Sequence, residues 1–319
     1  MFVHAREKIL SAKRILIACH IHPDGDCIGS LLALGLALRT LGKEVCMLSS
    51  DGLPRRYASL PGAYRIVKTT RARFDVAIAV DCGSKELLGS VFKHFEQTPC
   101  TIEIDHHEFR VPFAGIRIVD TDAAAVGEII FRFLKDSGIS ITKEIAQNIL
   151  TSIIVETNSF RLPNVRALTF NVCGDLMRLG VDFYSLVDAV FWSRSKEEAI
   201  LSGLCLARCQ FIYRGQIAWS IVRAADMKKI KGKEEDVDAV ADQMRSITKV
   251  KIVIVFREQE GSLLRVSLRS KEKINIAQLA KRYGGGGHFD TAGCLIPNSR
   301  FARNKFLRDA QAMLKKQTV

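Results

Sequence analysis

The chain has 319 residues, with 47 Lys+Arg against 34 Asp+Glu and a formal net charge of +13. Its 48% apolar and 25% charged content is that of a folded globular protein and excludes a disordered chain. No apolar run approaches the roughly 18 residues that a membrane span needs.

At about 100–200 residues per domain the length suggests two domains. The N-terminal stretch MFVHAREKILSAKR is broken by Arg6, Glu7 and Lys8. It reads as a short first helix and not as a signal peptide. Short apolar runs at Arg14–Cys19, Val45–Ser49, Val76–Val80 and Thr101–Ile104 are predicted strands. They alternate with predicted helices at Gly29–Leu41, Ala124–Lys135 and Ile141–Val155. This alternation implies βαβ units and a parallel sheet with helices on both faces, over residues 1–185. Residues 186–212 read as a helical connector.

A different pattern follows. Strands at Ile217–Val222, Lys251–Arg257 and Leu263–Arg269 accompany helices at Glu234–Ile247, Ile276–Tyr283 and Phe301–Leu314. The pair separated by Glu258–Ser262 suggests an antiparallel hairpin. Residues 213–319 are therefore a smaller α/β domain with a mixed sheet. The charge divides in the same way: residues 1–210 hold 25 basic and 23 acidic side chains, residues 211–319 hold 22 and 11. That excess points to an anionic partner for the C-terminal part, against the alternative of a merely solvated face. The nine cysteines are dispersed and form no C-x-x-C pair, as expected for reduced core thiols of a cytoplasmic protein.

Five of the seven histidines fall in three clusters. The first is CHIHPDGDCIGS (Cys19–Ser30), placed between a strand and a helix. Open α/β sheets bind ligands at the carboxyl ends of their strands, and here His20, Asp24 and Asp26 supply an imidazole and two carboxylates around a Pro23/Gly25 turn. Asp81 ends the strand VAIAV, where the alternative for a lone carboxylate is to cap the next segment. Asp105-His106-His107 ends the strand TIEI, and adjacent residues of an extended chain point to opposite sides. Carboxylates with two imidazoles and no thiolate pair suit two divalent ions such as Mn²⁺ or Mg²⁺. Such a pair stabilises both oxygens of a phosphoryl displacement. The residues alone thus point to a binuclear metal hydrolase of phosphate esters or anhydrides.

Taken in order, His20-x-x-Pro23-Asp24-Gly25-Asp26, Val80-Asp81 and Asp105-His106-His107 resemble successive motifs of the DHH phosphoesterase superfamily. Gly284-Gly285-Gly286-Gly287-His288, followed by Ala292-Gly293, resembles the GGGH signature of its DHHA1 domain. The two-domain form is most similar to the nanoRNase group, the oligoribonuclease/pAp phosphatases. By position, the resemblance implies that His20, Asp24 and Asp81 hold one metal and that Asp26, Asp81 and His106 hold a second. It makes His107 and Asp105 catalytic, the first orienting or protonating the phosphate and the second fixing an imidazole tautomer. A water or hydroxide between the metals would be the nucleophile.

The fourth motif departs from the pattern, because Glu156 in VETNSFR stands where the family has Asp. It is read as a second-metal ligand; the alternative is a loop cap, or binding through water, that leaves a weaker second site. In the second domain Gly285, Gly286 and Gly287 let the backbone approach a phosphate or base, and His288 adds a donor. Arg269 matches a substrate-contacting Arg of the family, with a surface ion pair as the alternative. Tyr283 either stacks or packs in the core.

The expected cofactors are two divalent ions, Mn²⁺ first and Mg²⁺ or Co²⁺ otherwise. The expected activity is hydrolysis of short single-stranded oligoribonucleotides to mononucleotides, and/or of 3′-phosphoadenosine 5′-phosphate. A cleft between the domains would limit substrate length, and the group is often homodimeric. The alternatives are a cyclic or linear dinucleotide phosphodiesterase, a pyrophosphatase or exopolyphosphatase, and a nucleotide-binding regulator weakened by Glu156.

Overall fold

Runs such as RILIA and VAIAV are apolar throughout, which is stable in a strand only when both sheet faces are covered. The computed structural model describes residues 2–108, 110–192, 195–232, 237–259, 262–271, 274–287 and 289–317. Its first sheet comprises β1 (Arg14–Ala18), β2 (Glu44–Leu48), β3 (Ile66–Val67), β4 (Val76–Val80), β5 (Cys100–Asp105) and β6 (Ile116–Val119). The order is β3-β2-β1-β4-β5-β6, parallel throughout. The order reverses at β1/β4, and a crevice opens outside the carboxyl ends of strands at such a point.

Alternation of side chains divides the core. Ile15, Ile17, Ile78, Val80, Ile102 and Ile104 face one layer. That layer holds α1 (Val3–Ser11), α2 (Gly25–Thr40), α4 (Val126–Asp136), α5 (Lys143–Glu156) and α6 (Ala167–Arg178). Leu16, Ala18, Ala77 and Ala79 face the other, where Leu88 of the 3₁₀ turn Lys85–Val91 and Phe95 of α3 (Phe92–Glu96) cover them. The first unit, Met1–Ser193, also contains α7 (Phe183–Val187) and a π-helical turn at Asp188–Trp192.

The second unit, Arg194–Val319, contains α8 (Lys196–Ala207), β7 (Gln210–Ile212), β8 (Ile217–Val222), α9 (Ala224–Ile230) and α10 (Asp238–Arg245). It continues with β9 (Ile252–Glu258), β10 (Leu263–Ser270), α11 (Ala277–Lys281), β11 (Gly286–Gly287), β12 (Thr291–Pro297) and α12 (Arg300–Gln317). Its sheet runs β11-β12-β10-β9-β8-β7, with only the β8/β9 pair parallel. Ile252, Ile254 and Phe256 face α11 and α12, whereas Val253 and Val255 face α8 and α10. The fold is thus the expected parallel α/β sheet accompanied by a mixed-sheet α/β unit.

Most element ends differ from the sequence expectations by one or two residues, and larger differences occur in a few places. Helix α2 begins at Gly25, four residues before Gly29, because Asp24 caps it. The helix expected at Glu234–Ile247 is described from Asp238 to Arg245, and its first residues lie outside the described ones. Strands β3 and β6 and helix α6 carry no clear sequence signal: the strands have two and four residues, and α6 exposes Leu168, Phe170 and Met177. No helix among the described residues is long and apolar enough to cross a membrane.

Candidate metal centre

The switch point receives three segments. After β1, the chain turns at His22, whose φ is +53°, and enters α2. The Asp24 carboxylate caps that helix, accepting from the backbone N–H of Asp26 at 3.0 Å and of Cys27 at 3.1 Å. The convergence therefore comes from a helix cap and not from a loop turn at Gly25. Gly25 is needed for a different reason. A Cβ there would lie 2.3 Å from Val155 Cγ2, so only glycine lets α2 meet the end of α5 that carries Glu156.

After β4, Asp81 adopts φ +55°, an uncommon conformation for a non-glycine residue and one often found at functional sites. After β5, the Asp105 carboxylate accepts the backbone N–H of His106 at 2.8 Å and of His107 at 3.3 Å. This curls the chain, and the two imidazoles do not point to opposite sides: both rings come 3.7 Å from Asp81 Oδ1.

Around Asp81 the donors are arranged in two groups. His20 Nε2 lies 3.6 Å from Asp81 Oδ2 and 3.8 Å from Asp24 Oδ1. His106 Nε2 lies 3.7 Å from Asp81 Oδ1, 3.6 Å from Asp26 Oδ2 and 3.8 Å from Glu156 Oε1. These separations are too long for hydrogen bonds. Donors about 2.1 Å from one ion stand roughly 3.0–3.5 Å apart in octahedral or tetrahedral geometry, close to what is seen. Asp81 Oδ1 is buried with no hydrogen-bond partner among the described residues. The residues fit divalent cations.

The tautomers are fixed for such a role. His20 Nδ1 pairs with the Ile21 carbonyl at 2.7 Å and His106 Nδ1 with the Ala123 carbonyl at 3.1 Å. A proton on each Nδ1 leaves both Nε2 atoms as lone-pair donors. His107 differs, since its Nδ1 bonds Asp105 Oδ1 at 2.6 Å.

Crowding of carboxylates shows in the protonation equilibria. Burial and the nearby Asp81 push Asp26 up to about 7, although His106 opposes this. Burial works against a charged His20, yet Asp24 and Asp81 carry it well above the imidazole range. Burial likewise opposes a charged His107, but Asp105 and Asp81 raise it to about 9. Asp105 is held below the usual carboxylate range, its burial outweighed by His107. The cluster calls for positive charge, which divalent ions would supply.

Sequence reasoning missed the groups that hold Asp26. Ser152 Oγ donates to its Oδ1 at 2.6 Å, Ser30 Oγ at 3.1 Å, and the Val126 N–H to Oδ2 at 3.0 Å. Ser152 precedes Glu156 by four residues on the apolar helix α5, so both share a face; a polar residue at that spacing was the available signal. Cys27 lies near His20 and Asp24, but its buried thiol is pushed far up and stays protonated.

In the second unit, Gly286 and Gly287 form the exposed strand β11 against Gly293 and Ala292. A Cβ at Gly286 would meet open space, whereas one at Gly285 would meet the Gly293 carbonyl at 2.1 Å. Arg269, opposite Thr291 in β12, is 12% exposed and pairs through Nε with Asp242 at 3.0 Å. Tyr283 packs on Phe306 at 4.7 Å and donates to Asp309, so it belongs with the core. His288 lies outside the described residues.

An imidazole–carboxylate cluster at the switch point of a parallel sheet, with a mixed-sheet unit in the same chain, marks a two-unit α/β hydrolase of phosphoesters. The DHH family, N-terminal domain, matches residues 14–153, and the DHHA1 domain matches residues 219–316. The chain belongs to the DHH/DHHA1 phosphoesterase superfamily. It is 30% identical over 285 residues to the bifunctional oligoribonuclease and PAP phosphatase NrnA of Thermus thermophilus, spanning 88% of this chain and 84% of that one. A crystal structure of an exopolyphosphatase-related protein from Bacteroides fragilis superposes with a TM-score of 0.90 at 24% identity, covering 98% of this chain and 95% of that one. RecJ of Thermus thermophilus in complex with Mn²⁺ aligns with a TM-score of 0.55 at 15% identity, over 99% of this chain and 54% of that one.

Proposed function

We propose that this protein is a cytoplasmic, two-metal phosphoesterase that releases mononucleotides from short oligoribonucleotides and/or dephosphorylates 3′-phosphoadenosine 5′-phosphate. Residues 1–185 form the catalytic domain, 186–212 a connector and 213–319 the substrate domain. The reading is carried by Asp81, whose Oδ2 faces His20 and whose Oδ1 faces His106. A carboxylate shared between two donor groups is what a bridged ion pair requires.

His20, Asp24 and Asp81 would hold one divalent ion, and Asp26, Asp81, His106 and Glu156 would hold a second. When bound, a pair of divalent ions, Mn²⁺ foremost, supplies the Lewis acidity that activates water and stabilises the developing charge. Asp105 anchors His107 Nδ1, which leaves Nε2 to donate to the phosphate. In the second unit the Gly285 N–H is held by the Ala280 carbonyl at 2.9 Å, so Gly285 acts by its small size, the exposed Gly286–Gly287 backbone receives the phosphate, and His288 adds a donor. Arg269 exchanges Asp242 for a phosphate oxygen. The name of the Thermus thermophilus relative supports the substrate class.

Incubation with Mn²⁺ and labelled di- to pentanucleotides tests this reading, and mononucleotide release is the expected result. Cleavage of polyphosphate or pyrophosphate instead, of cyclic dinucleotides alone, or one-site metal binding without turnover would each replace it with the corresponding alternative. Glu156→Asp changes Mn²⁺ affinity or rate by at least about threefold if Glu156 is a ligand, and titration with single-turnover kinetics reads this. An unchanged enzyme makes Glu156 peripheral.

A further inference from the structure

The near-neutral charge of the first unit conceals a local asymmetry. Residues 52–74 (GLPRRYASLPGAYRIVKTTRARF) contain Arg55, Arg56, Arg65, Lys68, Arg71 and Arg73 and no acidic residue. The remainder of residues 1–193 carries 16 cations and 21 carboxylates. All six cations are exposed, and none forms an ion pair with a described residue. Exposed cations usually find carboxylates nearby to offset them; a run without any concentrates positive potential.

The segment is also a rigid scaffold. Tyr57, Leu60 and Ala63 are buried in the core beside α2 and α5, Phe74 is buried beneath the other sheet face, and Asn148 of α5 donates to the Pro61 carbonyl at 3.0 Å. Ile66 and Val67 form β3 against Met47 and Leu48, at the carboxyl end of β2. Four cations thus stand near the edge of the sheet that carries the metal centre. Arg55 and Arg56 precede buried Tyr57, Arg65 precedes β3, and the Lys68 stem lies against Gly52.

One hydrogen bond connects this edge to the centre: Asp51 accepts the His22 N–H at 2.7 Å, two residues from both His20 and Asp24. Beside these cations Tyr64 is 77% exposed, with the Arg65 guanidinium 4.7 Å from its ring centre. Arg71 and Arg73 lie elsewhere, on the stretch that returns to the amino end of the sheet, where Asp75 binds the backbone of Lys13 and Arg14.

We infer that Arg55, Arg56, Arg65 and Lys68, with Tyr64 as a stacking surface, form a track on the catalytic unit that holds the nucleotides of a single strand beyond the one being cleaved. Unpaired cations take successive phosphates, and an exposed aromatic ring takes a base without regard to sequence. The track rests on the phosphoesterase reading and adds to it a preference for strand length. A dinucleotide ends before the track, and a pentanucleotide reaches it.

The test compares KM for a pentanucleotide and a dinucleotide in the wild type and in the triple variant Arg55→Ala/Arg65→Ala/Lys68→Ala. The pentanucleotide KM rises roughly five- to tenfold with kcat within twofold, and the dinucleotide KM stays within twofold. At about 0.7 per phosphate contact on single strands, the slope of log affinity against log salt falls by about 2. Tyr64→Ala raises the pentanucleotide KM roughly fivefold. The control Arg71→Ala/Arg73→Ala leaves it within twofold, although it removes two charges. Equal losses for both substrate lengths, equal losses in the control, or no loss at all overturn the track. So does wild-type binding to anionic vesicles with no greater affinity for the pentanucleotide than for the dinucleotide. Anisotropy of a labelled pentanucleotide after chelation reads the track without turnover, so failure of hydrolysis is seen apart from failure of the track.

Discussion

The two regions proposed to receive phosphate in this molecule are built in opposite ways. At the metal centre the groups are mostly buried side chains with an excess of carboxylates, and Asp24, Asp26, His20 and His106 are held by hydrogen bonds to a helix end, serines or backbone carbonyls. At the glycine run the surface is exposed backbone, and its cation, Arg269, already has a carboxylate partner in Asp242. One region lacks positive charge and is set rigidly around that lack; the other has charge in hand and offers shape. Rigidity is needed where several ligands must share an ion, because a small misplacement loses all of them together. An exposed N–H surface tolerates adjustment.

The largest effect should come from the residue that both donor groups share. Asp81→Asn lowers kcat by about 10³-fold or more, since removing even one charge-stabilising group commonly costs about 10²–10³. Single-turnover hydrolysis with circular dichroism to confirm folding measures this, and a loss under tenfold would mean that Asp81 does not join the two groups. Next is metal removal. A ligand at 100 times its Kd stabilises by about 2.7 kcal/mol, which for a unit of this size is roughly 5–10 °C. Chelation should therefore lower one calorimetric transition, that of the first unit, and leave the other in place. A shift of both would place ions in the second unit as well.

How much of this contrast was legible in the sequence depends on range. Strands β4 and β8 were readable to the residue because an unbroken apolar run between turn formers has few other uses. The candidate ligands were readable because they stand at the ends of such runs. The strand order that brings Asp26 beside the Val126 N–H, 100 residues away, was not, since pairing between distant strands leaves no local trace. Nor was the curl that turns His106 and His107 toward the same carboxylate, because alternation along a strand stops where Asp105 ends it. Arg269 was read as a substrate contact with an ion pair as the alternative, and only the fold identifies the carboxylate partner, Asp242, 27 residues away.

Glycine substitutions sharpen the contrast at smaller cost. Gly25→Ala forces a methyl into Val155, with Cβ, Cγ1 and Cγ2 all within 3 Å, so it should destabilise the first unit by about 1–3 kcal/mol and displace Glu156 from the cluster. Gly286→Ala meets open space, and its effect on melting should be within about 0.5 kcal/mol. Melting curves compare the two directly; equal losses would show that the glycine run is as tightly packed as the metal centre.

The smallest effect concerns carboxylates that are matched with cations and not crowded together. Arg208, at the end of α8, holds Asp226 of α9 through both guanidinium nitrogens, and the Asp226 side chain is 13% exposed. That pairing outweighs the opposing effect of burial and keeps the Asp226 carboxyl below its ordinary 3.8. A depressed value means that the charged form favours the folded state, so the stabilisation is complete above pH 3.8 and fades as the pH falls through the lower folded value. Asp226→Asn should therefore cost the second unit roughly 1 kcal/mol at pH 7, with the difference from wild type shrinking below pH 4. Asp26 has the opposite sign, because its carboxyl is raised to about 7 and, without ions, its charge opposes folding as the pH rises from 3.8 toward 7. Urea titrations of the chelated protein at pH 3 and pH 7 read both together: acidification should weaken the paired unit slightly and relieve the crowded one. A uniform response of the two transitions would mean that their carboxylates are held alike.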